Sequence, residues 1–423
     1  MKKTFLLLGS LLFGVMTFIS CSDDDNKNSS DNNDDAKYSD KSYGQAAINA
    51  CNTLTDELTS ANEAIGTASL TSEQENELKE VVDQVIDGVI IPTYTDLADD
   101  ATALQRSLNG LNISTIKQSD VDKACDAFKK ARKHWELSEA FLGGPASDFD
   151  IDPTIDSWPL NRSLLIGYLS GGRTNFTEEE IDDASILGFH ALEFILFRNG
   201  KNRDVKEFTG NDTYKGFTSI SGASELAYAQ RICQLLVQRT YQLQVAWEGE
   251  TSSNAERVAV LKATGLEYTT AAGLSYADNL RLAKGSTFSN LKEVVSQLLS
   301  DDEGSCVAIC DEVGSAKIAN PFSAGYVFYV ESPFSYNSIT DFQDNIRSIR
   351  NVWLGSTSGN AASHSFSNFF KNNSTKRGQA VESAYTDAIN KIGNMPAPFV
   401  KYVSTIWNLP YEDDNRNSDI IEE

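Results

Sequence analysis

From Tyr43 onward the apolar residues of this chain recur at three- and four-residue steps, and nothing else constrains its fold as tightly. That period dictates amphipathic helices, each of which must bury one face against another. In 119–142, Val121, Ala124, Cys125, Phe128, Ala131, Trp135, Ser138 and Leu142 form the dry stripe, while Asp122, Lys123, Lys129, Lys130 and Lys133 mark the wet face. The same spacing predicts helices over 45–66, 70–108, 223–248, 253–272, 287–300, 303–318, 339–354 and 376–393. Ser119 with Asp122 resembles a capping box, and Thr177 with Glu180 fits one, predicting a helix that runs to about Arg198 and stops at Gly200. Strand signals are confined to 326–331 and 399–403, neither with a hairpin partner. The Gly-, Pro- and Asp-rich stretch 143–159 reads as a structured loop and 199–222 as a connector.

The expectation is therefore an all-α fold. Roughly 370 residues lie between polar ends, more than one core usually serves, so two helical bundles are expected, over 41–205 and 220–410. An internal echo, FKKARKHWELSEAFLG at 128–143 against FQDNIRSIRNVWLG at 342–355, relates the two by duplication.

The ends carry addresses rather than structure. Lys2 and Lys3 precede an apolar run from Phe5 to Ile19, then Ser20 and Cys21. The run is too short for a membrane span and reads as a signal peptide over 1–20. A small residue directly before a cysteine is the pattern cut by lipoprotein signal peptidase, so Cys21 is the expected lipidation site and the membrane the expected partner of the mature N-terminus. Residues 21–40 form an acidic stalk with too little apolar surface to fold, and 411–423 an acidic tail. The acidic run after Cys21 also resembles the surface-export signal of Bacteroidetes lipoproteins, which implies an outer-membrane location facing outward.

Net charge narrows the partners. It is −24 for the whole chain, and about −16 of this falls on the body. Such a surface repels nucleic acid and anionic headgroups and attracts cations or basic ligands. Besides Cys21 there are Cys51, Cys125, Cys233, Cys306 and Cys310; no paired CxxC supports a zinc ribbon, and spacing leaves a Cys306–Cys310 disulfide open.

The sharpest chemical pattern is GFHALE at 188–193, which puts His190 and Glu193 one turn apart on one helix face. The pair can hold a metal, or Glu193 can orient His190 as an acid–base. Apolar residues flank it on nearly every side, so the helix is expected to be buried, and a buried His and Glu need partners.

Three ordered blocks carry a family resemblance. GxHxxE, HWELSEAFLGGPASDFDIDPTIDSWPLN at 134–161 and ESPFSYNSITDFQDNIRSIRNVWLG at 331–355 together resemble the imelysin family, known from insulin-cleaving outer-membrane proteins and from relatives in bacterial iron uptake. The resemblance implies two related helical bundles with a site in the cleft. It implies His190 and Glu193 as metal-binding motif residues and Gly188 as the residue permitting close helix approach. Trp135, Glu136, Ser138, Asp156 and Trp158 are cleft candidates from the first half, and Glu331, Ser335 and Arg347 from the second. Trp135 and Trp158 also read as core packing, Glu136 as a solvated charge, Arg347 as the partner of a structural carboxylate, and His134 and His364 as surface residues.

A zinc peptidase needs about three protein ligands plus a base. This chain has three histidines, no HExxH, and Phe194 where an inverted HxxEH needs histidine. No GxSxG is present either. Carboxylates and one imidazole suit iron, and also zinc or calcium, without a nucleophile. The favoured reading is a tethered lipoprotein that captures iron or a small cationic ligand for uptake, with a transport protein of the envelope as its partner. A metal-dependent peptidase, and a peptide or carbohydrate binder without metal, are the alternatives.

Overall fold

The computed structural model describes residues 38–177, 180–181 and 183–409. The expected signal peptide, Cys21, most of the stalk and the acidic tail lie outside them. Among the described residues the regular elements are helices apart from one two-stranded hairpin. Ten helices build the frame: α1 Ser42–Thr67, α2 Ser72–Val85, α3 Ile91–Asn109, α4 Gln118–Glu136, α5 Gly188–Leu196, α6 Gly222–Glu248, α7 Cys306–Glu312, α8 Ser338–Leu354, α9 Thr375–Gly393 and α10 Phe399–Ile406.

These helices form where the period put them, and their interruptions have local causes. The stretch expected as one helix over 70–108 is α2, a π-helical turn Ile86–Ile90 and α3, with Pro92 just beyond the turn. α7 runs likewise through a π-helical segment Val313–Ala319 into a short helix that carries Pro321. Proline lacks the N–H that the regular ladder needs, and the wider turn before it absorbs the break. Both halves of the molecule thus carry the same device. The capping bond at α4 falls two positions before the expected pair: Asp120 accepts from the Lys117 N–H, and Asp122 instead takes Gln118 and Asn202 side chains.

Three expectations are corrected. Glu180 accepts both bonds from Thr177, yet no continuous helix joins it to α5: Ile181 and Asp183 are not helical, and α5 begins at Gly188, because Leu187 is extended and Gly188 has φ +66°. Its end is set by the hairpin Phe197–Arg198 and Lys201–Asn202, whose turn residues Asn199 and Gly200 are both left-handed. Residues 326–331 hold a 3₁₀ turn, Val327–Tyr329, and residues 399–403 open α10, since its apolar face docks on the short Asn320–Ser323 helix and no strand lies beside it among the described residues. Helix 253–272 shrinks to Ala255–Thr264, stopped by left-handed Gly265.

Packing joins distant parts of the chain. α1 lies along α9 and against α7 with its π-helical extension, while α3 packs between α4 and α6. Contacts therefore cross the division into 41–205 and 220–410. One hydrophobic core, from Ala47 to Ile406, runs through both groups of helices. α4 and α8, the helices of the internal echo, touch each other along the seam. All five cysteines among the described residues are buried and free, Cys306 and Cys310 included.

Candidate functional site

α5 is buried along its whole length, as its sequence requires, and its carbonyl end is closed by two arginines. Arg198 donates to Phe194 and Phe197 carbonyls, and Arg203 to that of Ile195 at 3.1 Å, placing cations at the negative pole of the helix. Arg203 is itself held by Glu225 at 2.5 Å and Glu207 at 2.7 Å. At the other end, Gly188 meets the short helix Asp152–Ile155: a Cβ there would overlap the Ile155 carbonyl. The bare backbone lets the next residue, Asp156, come up beside the imidazole.

Nε2 of His190 stands 3.3 Å from Asp156 Oδ1, and Nδ1 stands 3.8 Å from Glu193 Oε2. The other Glu193 oxygen, Oε1, is fixed by three donors from one loop, the Phe334 N–H at 3.0 Å and the Ser335 N–H and hydroxyl at 2.7 Å. That loop carries left-handed Ser332 and Tyr336, so its backbone is held in a conformation non-glycine residues rarely adopt. Asp156 Oδ2 accepts from the Trp135 indole at 2.6 Å. Trp135 is fully buried and stacks on Phe189, so it serves core and site together.

Arg132 is the centre of charge. Its guanidinium bonds Asp156, Glu136 and Glu331, the last at 2.5 Å, with Asp341 at 3.9 Å. Lys317, also buried, holds both Glu331 oxygens at 3.1 and 3.0 Å. Asn345 donates to Glu136 at 2.6 Å, and Ser332 and Asn337 donate to Asp341. Two permanent cations thus face five buried carboxylates, Glu136, Asp156, Glu193, Glu331 and Asp341.

The cluster settles this by moving protons. Burial pushes Glu136 well above the carboxylate range, more than Arg132 can offset, and raises Asp341 to about 7. Burial acts on Asp156 too, but Arg132 and His190 hold it well below the usual range. Burial would lower His190, yet the Asp156 and Glu193 carboxylates keep it at about 9. At neutral pH His190 then carries its proton beside Arg132 and Lys317, facing the charged Asp156.

Asp156, His190 and Glu331 each offer a ligand atom within 4.8 Å of the others, the only such group of three among the described residues. His190 Nε2 and Glu193 Oε2 are buried without a hydrogen-bond partner there. Imidazole with carboxylates is a donor set for iron, zinc or manganese once the ring gives up its proton, and an unsatisfied buried carboxylate oxygen is what a cation would satisfy.

The fold draws together Gly188, His190, Glu193, Trp135, Glu136, Asp156, Glu331 and Ser335. Ser138 instead turns its hydroxyl to the Trp135 carbonyl, and Trp158 lies at the rim, with its indole on the Tyr329 carbonyl and Lys317 over its ring. Arg347 stands outside the cluster, pairing on its own helix with Asp344 and Gln343; Asp341 and Asn345 are the residues that α8 turns inward. His134 is part-buried against Asp100, and His364 is exposed beside Glu80. Arg132 and Lys317 escaped the sequence reading. A signal for Arg132 existed: four after Phe128 and three before Trp135, it falls on the dry stripe.

A family model described as Imelysin matches residues 90–416. Iron-regulated protein A of Synechococcus elongatus is 24% identical over 316 residues, 74% of each chain. Among solved structures, a chain from Parabacteroides distasonis described as an iron-regulated protein A precursor aligns with a TM-score of 0.63 and 26% identity, covering 81% of this chain and 92% of its own. An imelysin-like protein from a Psychrobacter species aligns with a TM-score of 0.52 at 13% identity, over 81% of this chain and 93% of its own, a likeness of fold.

Proposed function

The chain belongs to the imelysin family, and on that premise we propose that it captures a metal cation, iron foremost, at Asp156, His190 and Glu331. The observation that carries this reading is the meeting of one imidazole nitrogen and two carboxylate oxygens, all buried, within 4.8 Å of one another. A relative named for iron regulation supports iron as the cargo. Capture is an exchange of charge: the cation replaces the proton of His190, while Arg132 and Lys317 keep the remaining carboxylates compensated. Glu193, fixed by Ser335, orients the ring through Nδ1. Lipidation at Cys21 and an acidic stalk would hold this body at the outer membrane beside an uptake partner. Among the described residues no helix is long and apolar enough to cross a membrane.

The test is elemental analysis of residues 37–423 after dialysis against iron and zinc, beside a His190→Ala, Glu193→Ala variant. One metal per native chain and none in the variant is expected; no metal in either overturns the reading. A metal-loaded native protein that also degrades an unfolded protein, with loss of turnover in the variant, would favour the peptidase.

A further inference from the structure

In front of Asp156 a pocket of about 350 Å³ opens to solvent, walled by Glu139, Asp152, Trp158, Glu312 and Lys317. Its charge is unbalanced. Lys317 is the single cation on its wall, and that amine is committed to Glu331 at 3.0 Å, with Glu312 at 3.4 Å. Neither Glu139 nor Asp152 has a basic partner within ion-pair distance among the described residues. Glu139 is only 4% exposed, and among those residues no donor reaches its carboxylate, which faces the pocket. Burial, with Glu312 and Asp152 adding to it, pushes Glu139 well above the usual carboxylate range, and burial with Asp156 raises Asp152 to about 7.

The spacing says what would satisfy these acids. Among the described residues, only the inner three have ligand atoms close enough to chelate a bare ion. The outer carboxylates stand farther apart, so they suit an ion touched through its own waters. Six waters at about 30 Å³ each need about 180 Å³, which the pocket holds.

We propose that Glu139, Asp152 and Glu312 form a second, outer cation site that takes a multivalent cation with its hydration shell intact, in front of the inner site at Asp156. Asp156 lines the pocket with one face and meets His190 with the other, so the outer site is the antechamber of the inner one. This role as antechamber rests on the metal-capture reading; the outer site itself does not. Lys317 stands between the two, touching Glu312 of the outer site and Glu331 of the inner one, and its charge keeps a dehydrated ion from settling before it reaches the imidazole.

Hexaamminecobalt(III) tests this, because it is an exchange-inert copy of a hydrated cation and cannot shed ligands to enter the inner site. Calorimetric titration of residues 37–423 is expected to give one bound complex per chain, and binding is retained in His190→Ala. Glu139→Gln with Asp152→Asn should weaken it about tenfold, while Asp301→Asn with Asp302→Asn, which likewise removes two carboxyl groups but on an exposed surface, should not. Melting curves of both double variants check that they fold, and Glu312→Gln alone is the second probe if the first does not. No binding, or equal weakening in the surface variant, overturns the outer site. Binding of the complex by a chain that takes up no iron or zinc would retain the outer site and sink the inner one.

Discussion

Gly188 presses its bare Cα against the carbonyl of Ile155, at φ +66°, and this contact brings Asp156 to His190. Two demands fall on one position, a left-handed backbone and no side chain. Gly188→Ala should cost at least about 2 kcal/mol, from the left-handed penalty and the displaced turn. It should also abolish metal retention in whatever fraction folds. Denaturant unfolding and elemental analysis of the same sample check both; a stable variant that keeps its metal contradicts this account.

The imidazole predicts the pH dependence. His190 is held at about 9 against about 6.5 in an unfolded chain, so its contribution is full below about pH 6.5 and is lost as pH rises through 9. Asp341, raised to about 7, adds in the same direction at lower pH. The metal-free body should be more stable at pH 6 than at pH 9 by a few kcal/mol, and His190→Gln should flatten the profile between them. Metal uptake should release a proton near pH 7.5 and tighten as pH rises toward 9, measurable by calorimetry in buffers of differing ionisation heat.

Arg132 bonds acids from its own helix, from the turn at 156 and from the loop at 331. Arg132→Gln leaves Asp156 and Glu331 buried with one cation fewer, a loss of about 3–5 kcal/mol. Added metal should then recover more melting temperature in this variant than in the native protein, because it supplies the missing charge. Equal metal-induced shifts in the two would contradict that.

Arg203 offers a contrast away from the cluster. It is fully buried, and its partners are Glu207, Asp212, Glu225 and the Ile195 carbonyl. Arg203→Ala should cost a similar 3–5 kcal/mol in unfolding while the folded fraction still binds metal. Chemical denaturation with metal analysis of the folded peak separates the two effects.

The helices themselves were legible because their cause is local. Apolar spacing identified α1, α4, α6, α8 and α9 nearly to their ends, and the crowding of apolar residues around His190 foretold that α5 is buried. The same method read 399–403 as a strand, since a short apolar run has no period long enough to distinguish the two, and the helix expected from Thr177 to Arg198 is not continuous because Leu187 and Gly188 leave helical geometry. The site was half legible. His190 and Glu193 share one helix, so their juxtaposition follows from the pitch alone, whereas Arg132 and Glu331 are 199 residues apart and only the packing of α4 beside α8 makes them partners. A charged residue shows in sequence only as a charge; whether it ends in water or in a buried cluster depends on what the rest of the fold brings against it. The sequence by itself determined the helical class and the motif on α5, and tertiary structure decided which acids gather round that motif, because burial and pairing are properties of the assembled seam.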